Sequence, residues 1–289
     1  MTHHIIDFKD VFFRYPDGTE ALSGVSLRIT HGESVGLVGA NGAGKSTLLL
    51  QMNGYILPSS GFVNIGDLEL TKKTRQEIRK KVGVVFQNPD DQLFMPTVYE
   101  DVAFGPLNLG MSAERVIDRV NASLQTVGCL DLKEKPPHHL SGGQKRAVAI
   151  ATVLAMEPDI LVMDEPSSDL DPKSRRYLIR LLRGFKHTKI IASHDLDFIL
   201  EVCERCLVIK DGKIVADGPV SDILTNQSLL EENSLELPLS LQKTQMMDAG
   251  VKSGLLPDPS NRYSDSIDHE TGMTIAASEG GGVMKGVRK

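Results

Sequence analysis

The sequence predicts an α/β fold: a parallel sheet flanked by helices, with an antiparallel β layer added to it. Short apolar runs, "SVGLVGA" (34–40), "KVGVVFQ" (81–87), "DILVMDEP" (159–166) and "TKIIASHD" (188–195), alternate with helix-patterned segments. Strands alternating with helices argue for parallel pairing. "IIDFKDVFFRY" (5–15) and "FVNIG" (62–66) instead alternate apolar with polar residues, as half-buried strands do. "KSTLLLQMNGY" (45–55) reads as a helix after a Gly-rich turn. "SAERVIDRVNASLQTVG" (112–128) has helical periodicity, a Ser start and a Gly stop. "CLVIKDGKIVADG" (206–218) is a hairpin turning at Asp211-Gly212. No internal repeat is present.

The 289 residues suffice for one large domain, or one domain with a small appendage. A net charge of −6 gives no global basic field for nucleic acid. Three cysteines, Cys129, Cys203 and Cys206, argue against a secreted disulfide framework. The amino-terminal stretch, with Asp7, Asp10 and no apolar core, does not read as a secretory signal. No apolar run approaches the roughly 20 residues a spanning helix needs. From 238 to 289 the composition turns rich in Gly, Ser and Asp without a sustained period, which reads as a flexible tail.

Two motifs carry chemistry. "GANGAGKS" (39–46) matches G-x-x-x-x-G-K-[ST] and lies between a strand and a helix, the context a P-loop requires. Gly39, Asn41, Gly42 and Gly44 let the backbone wrap a phosphate, and the following helix adds its positive end. Lys45 is placed to neutralise β and γ oxygens, Ser46 to put a hydroxyl on Mg²⁺, and Thr47 to add a second hydroxyl. "ILVMDEP" (160–166) ends an apolar strand in two carboxylates, which cost desolvation unless they meet a cation or water. Beside a P-loop, Asp164 reads as the carboxylate holding Mg²⁺ through its water shell. Glu165 then reads as the group polarising an attacking water.

A third motif, "LSGGQ" (140–144), opens a helix and forms a second anion cradle, although one ATP needs only one P-loop. Together, residues 5–237 resemble the ATP-binding cassette (ABC) ATPases of transporters, with LSGGQ as their signature motif. The resemblance implies a P-loop NTPase core, an antiparallel β subdomain and an α-helical signature subdomain at about 88–155. It implies head-to-tail pairing, each ATP lying between one P-loop and the partner's signature. Ser141, Gly142, Gly143 and Gln144 would then serve the other subunit's nucleotide, Ser141 and Gly143 contacting its γ-phosphate.

The other family elements follow one residue at a time. Tyr15 resembles the aromatic that stacks on adenine, although read alone it is more readily a core or turn residue. Gln87 resembles the Q-loop residue that reaches Mg²⁺ and the attacking water. "SSDLD" (167–171) resembles the D-loop, with Asp171 at the dimer interface. Asp169 departs from the small residue that family members often carry there. His194 resembles the switch histidine that contacts the γ-phosphate and steadies Glu165.

"FQNPDDQLF…TVYEDVAFGP" (86–106) is similar to energy-coupling factor (ECF) importers, most nearly the cobalt-type ATPases. The resemblance implies a peripheral subunit at the cytoplasmic face of the cell membrane. It would drive a transmembrane coupling subunit with a second ATPase, a copy or a related chain. The cargo would be cobalt or a related transition-metal ion, or alternatively a vitamin or other small substrate. The apolar Leu93, Phe94, Met95, Val98, Tyr99, Val102 and Phe104 are either core or a groove for a partner's helix. Asp90, Asp91, Glu100 and Asp101 would suit a basic partner. The rival is a soluble, non-transport ABC ATPase. Repair-type members insert long coiled coils before the signature, and translation-type members carry two cassettes; this chain shows neither. The Cys203–Cys206 spacing and the His138-His139 pair read as structural and as a polar lead-in, respectively.

Overall fold

A computed structural model describes residues 4–242. In chain order the elements are β1 (His4–Arg14), β2 (Glu20–Thr30), β3 (Ser34–Val38), α1 (Lys45–Met52), β4 (Ser60–Ile65), β5 (Leu68–Glu69), α2 (Arg75–Lys81) and β6 (Val82–Val85). Then come α3 (Val98–Asn108), α4 (Ala113–Thr126), α5 (Gly142–Leu154), β7 (Ile160–Asp164), α6 (Pro172–Gly184) and β8 (Thr188–Ala192). The series closes with α7 (Leu196–Val202), β9 (Arg205–Lys210), β10 (Lys213–Pro219), α8 (Val220–Leu224) and α9 (Gln227–Glu232).

Two sheets result. One is antiparallel, in the order β2-β1-β4-β5; the other runs β10-β9-β3-β8-β7-β6, parallel except for β10. β2 makes the widest pairing with β1, although no motif singles it out in the sequence. At Asp10 (φ 46°) β1 is bulged, which shifts its phase so that Val11 joins Ile6 and Phe8 in the core. The Asp211-Gly212 turn is the expected hairpin, with both residues at positive φ (48° and 72°).

The parallel sheet is buried on both faces, so its strands are continuous apolar runs. In β7, Ile160 and Val162 pack toward the antiparallel sheet and α1, while Leu161 and Met163 pack toward α5 and α7. α3, α4 and α5 pack on one another. Thr97 and Glu100 form a reciprocal capping box at the start of α3. The Ser112 side chain caps α4, which buries Val116, Val120 and Leu124. Residues 239–242 form a helical turn whose Leu239 and Ser240 N–H groups donate to the Asp197 carboxylate. The rest of the expected tail lies outside the described residues.

Helix α5 approaches β6 over a glycine: a Cβ on Gly83 would lie 2.2 Å from Val153 Cγ1 and 3.0 Å from Pro158 Cγ. Gly83→Ala is therefore expected to overpack this contact and lower stability by about 1–3 kcal/mol. Urea denaturation checks it, and an unchanged midpoint would show that α5 yields freely.

Candidate functional site

Four parallel strands, β3, β6, β7 and β8, deliver their following loops to one edge of the sheet, where ligands of such sheets bind. β8 lies between β3 and β7, so Ala192 pairs with Leu37 on one side and Asp164 on the other. The ladder continues beyond the strands: Glu165 N–H donates to Ala192 O (2.9 Å) and Ser193 N–H to Leu37 O (3.2 Å). This pairing closes a cavity of about 580 Å³. It brings together Tyr15, Asn41, Gly42, Gly44, Lys45, Ser46, Thr47, Gln87, Asp164, Glu165 and His194. Thr19, Glu20 and Ala21 complete the wall, without a sequence signal.

The loop before α1 depends on glycine at two points. A Cβ at Gly39 would lie 2.3 Å from Ile209 O, and one at Gly44 (φ 108°) 2.5 Å from Ala21 O. Gly39 is thus a packing glycine behind the cradle. Lys45 is buried, and its Nζ donates to Gly39 O (2.7 Å) and Ala40 O (3.1 Å), across the mouth of the loop. Tyr15 is half-buried, edge-on to Phe13 at 4.8 Å, with its hydroxyl 3.0 Å from Thr47 Oγ1. That bond ties the aromatic to the helix carrying Lys45 and Ser46.

Burial pushes the Asp164 carboxyl up, while the Ser46 hydroxyl bonded to it and the Lys45 charge pull it back down. A carboxylate, a hydroxyl and the Gln87 amide therefore line one cavity, a hard-oxygen donor set that fits Mg²⁺. Glu165 is buried and held at positive φ (46°), a cost for a non-glycine residue that its surroundings impose. Its Oε2 accepts from Ser193 Oγ (3.0 Å) and His194 N–H (3.2 Å), and His194 Nδ1 lies 2.8 Å from it. The His194 ring is 68% exposed, so it reaches Glu165 from the solvent side. Ser193, fully buried, is a site residue that sequence reading missed; a lone hydroxyl beside a histidine carries no pattern.

The signature residues lie elsewhere. Ser141, Gly143 and Gln144 line a separate cleft of about 370 Å³ between α5 and α6. Ser141 and Gln144 form a capping box: Gln144 N–H donates to Ser141 Oγ, and Ser141 N–H to Gln144 Oε1. Gly143 is required by packing, because its Cβ would lie 2.2 Å from Ser174 Oγ. Gly142 is exposed, with nothing within 4 Å of its Cβ position. Asp171 caps α6, accepting from Lys173 N–H, Ser174 N–H and Ser174 Oγ, which holds its carboxyl below the usual range. Asp169 sits at φ 59°, which Asp tolerates better than most residues. Its charge offsets part of the burial that lowers the pKa of the nearby Arg146 guanidinium.

The segment after Gln87 divides between core and surface. Leu93, Val98 and Val102 are buried, whereas Phe94 (62% exposed) and Phe104 (42%) meet edge-on at 5.2 Å in the open. A groove built on Leu93, Val98 and Val102 is therefore corrected to core, leaving Phe94 and Phe104 as the exposed pair. Of the acids, Asp101 is corrected likewise. Asp101 is buried and accepts from Phe94 and Met95 N–H, Glu100 caps α3, and Asp90 pairs with Lys145 at 2.6 Å. Cys129, Cys203 and Cys206 are free and buried. His138 and His139 are exposed, and no metal-holding cluster of His, Cys, Asp or Glu occurs among the described residues.

Comparison with known proteins agrees with this geometry. The family model for ABC transporters matches residues 22–168. A Geobacter sulfurreducens protein named as an ABC transporter ATP-binding protein is 60% identical over 242 residues, covering 84% of this chain and 97% of its own. The energy-coupling factor transporter ATP-binding protein EcfA of Methanosphaera stadtmanae is 48% identical over 249 residues, covering 84% of this chain and 90% of its own. Among solved structures, CbiO1 of Clostridium perfringens, part of the ABC transporter complex CbiONQ, superposes with a TM-score of 0.72 at 37% identity. That match covers 80% of this chain and 94% of the other. The chain, with its P-loop, carboxylate pair and LSGGQ helix, belongs to the ABC transporter family of ATP-binding proteins and is an ATPase.

Proposed function

We propose that this chain is the ATP-hydrolysing subunit of an ECF-type importer, working as a dimer whose two nucleotides lie between P-loop and signature of opposite subunits. The observation that carries the reading is the division of the site into two separate halves. One cavity holds the phosphate loop and both carboxylates, and it lacks the signature residues. The signature helix presents Gly142, where neither packing nor a left-handed backbone calls for glycine. A group approaching from outside accounts for it, since the bare backbone and the helix N-terminus suit a partner's γ-phosphate.

In this reading residues 5–237 form the ATP-binding unit. Tyr15 stacks on adenine. Lys45 trades its two loop carbonyls for phosphate oxygens. Ser46, Gln87 and Asp164 would hold Mg²⁺, which would supply positive charge to the phosphate chain. Glu165, fixed by Ser193, accepts the proton of the attacking water. His194 steadies Glu165 through Nδ1 and leaves Nε2 for the γ-phosphate. The partner's Ser141–Gln144 cradle and the D-loop around Asp171 close the remaining side. Hydrolysis removes the charge shared by the two subunits, so the dimer opens and chemistry becomes motion.

No helix among the described residues is long and apolar enough to cross a membrane. The likeness to energy-coupling factor ATP-binding proteins supports action from the cytoplasmic face on a transmembrane coupling subunit, which docks at Phe94 and Phe104. The likeness to the CbiONQ component supports cobalt or a related transition-metal ion as cargo.

Glu165→Gln is expected to retain ATP affinity, lower turnover by roughly a hundredfold or more, and trap an ATP-bound dimer on size-exclusion chromatography. Normal turnover would remove Glu165 as the base. Lys45→Ala is expected to weaken nucleotide binding at least about tenfold in calorimetry, the loss of one charge-assisted phosphate contact. Unchanged affinity would remove its phosphate role. A pull-down from membrane extract with ATP should capture a multispanning membrane protein, and Phe94→Asp with Phe104→Asp should release it while soluble ATPase activity persists. Capture of soluble proteins alone would leave an ATPase without a transporter.

A further inference from the structure

Phe86 is the residue between the end of β6 and Gln87, and both of its backbone polar groups are held by side chains. Its carbonyl accepts from Arg146 Nη1 at 2.8 Å, and its N–H donates to Gln92 Oε1 at 3.2 Å. Neither partner is free to drift. Arg146 belongs to α5 and is 3% exposed. Gln92 uses its Nε2 to donate to Ala149 O and to Thr152 Oγ1, both at 2.7 Å and both on α5. Thr152 Oγ1 in turn donates to Ala149 O at 2.8 Å. A third tie, Lys145 to Asp90 at 2.6 Å, joins the same helix to the same segment. Lys145 and Asp90 are partly exposed, so that pair adds little on its own.

We propose that Gln92 and Arg146 are positioning residues for the ATPase reaction: together they clamp Phe86, and through it Gln87, to the signature helix α5. The inference rests on Gln87 as a metal-site residue. With Phe86 fixed on both sides, only the two soft backbone dihedrals and the side chain of Gln87 separate the clamp from the metal site. Arg146 lies about 6 Å along the helix axis from Gly142, at 1.5 Å per residue. A shift of α5 when a partner's nucleotide seats at Ser141 and Gly142 is therefore carried to Gln87 of the same subunit. Each subunit's metal site is set by where its own signature helix stands, which couples the two nucleotides of the dimer. Arg146 also keeps a buried Nε with no partner, beside the charge of Asp169. That donor leaves the guanidinium able to answer a D-loop displacement without releasing Phe86.

The test compares wild type with Gln87→Ala, Gln92→Met, Arg146→Met, Arg146→Lys and the double variant Gln87→Ala with Gln92→Met. Two readouts are taken on the full chain: kcat and KM for ATP, and calorimetric affinity for a non-hydrolysable ATP analogue with Mg²⁺ and with chelator. Gln92→Met is near-isosteric and removes both amide functions. It should lower kcat by roughly ten- to a hundredfold, the range for a catalytic group displaced by about an ångström. Affinity in chelator should stay unchanged, and the gain in affinity on adding Mg²⁺ should shrink as it does in Gln87→Ala. Arg146→Met should behave alike, and Arg146→Lys, which keeps a donor for Phe86 O, should restore much of the loss. The double variant should be no worse than Gln87→Ala, because residues acting through one another are not additive. A Mg²⁺ gain left at wild type by both Gln92→Met and Arg146→Met, with Gln87→Ala impaired, overturns the clamp alone. So does a double variant whose losses multiply. An unimpaired Gln87→Ala overturns the metal-site reading and the clamp with it.

Discussion

Parallel pairing of β8 between β3 and β7 is the constraint on which the site depends. One residue, Ala192, meets Leu37 and Asp164 at once. Because the three strands run the same way, the phosphate loop, the two carboxylates and Ser193-His194 all emerge at one edge. A one-residue slip of β8 would turn every side chain of the strand to the opposite face. Register is protected against this because both faces are buried: Ile190 and Ala192 pack with the β-layer core, and Ile191 with the helical core. Hydrophobic packing on either side of the sheet thus sets the distances between groups that carry charge.

At that edge, polar groups are held in states that an ordinary core would exclude. Asp164 is a carboxylate raised toward protonation by burial, beside a buried lysine. Glu165 combines burial, positive φ, and two hydrogen bonds and an imidazole nitrogen on one oxygen. Such features persist only where surrounding structure over-determines them. Here the ladder bond from Glu165 N–H to Ala192 O anchors the backbone, and Ser193 anchors the side chain.

The helical region shows how one stretch serves two purposes. Asp101 sits on α3 with its carboxylate bonded to the N–H groups of Phe94 and Met95. It therefore shapes the loop that holds Phe94 out while Leu93 points in. Gln92, one residue earlier, bonds back to α5. Within three residues the chain supplies a tie to the signature helix, a core anchor and an exposed aromatic. This segment thereby ties α5 to the exposed face beside Phe104.

Much of this protein was determined by the sequence itself. G-x-x-x-x-G-K-S is a local pattern: its lysine and serine follow the second glycine directly, and that glycine, Gly44, sits at positive φ. The Ser112 start of α4 and the Asp211-Gly212 turn are local for the same reason, and so were legible. The apolar runs that form the parallel sheet were legible from burial on both faces. Tertiary structure decided what depends on partners far along the chain. Ser193 is a site residue only because β8 lies next to β7. Gly83 and Gly39 are required only by Val153 and by Ile209 O. Leu93 and Phe94, adjacent and both apolar, were assigned opposite environments by an aspartate seven residues beyond Phe94 and by the packing of α5. Periodicity distinguishes faces within an element, but which face meets another element is settled only when the elements are assembled.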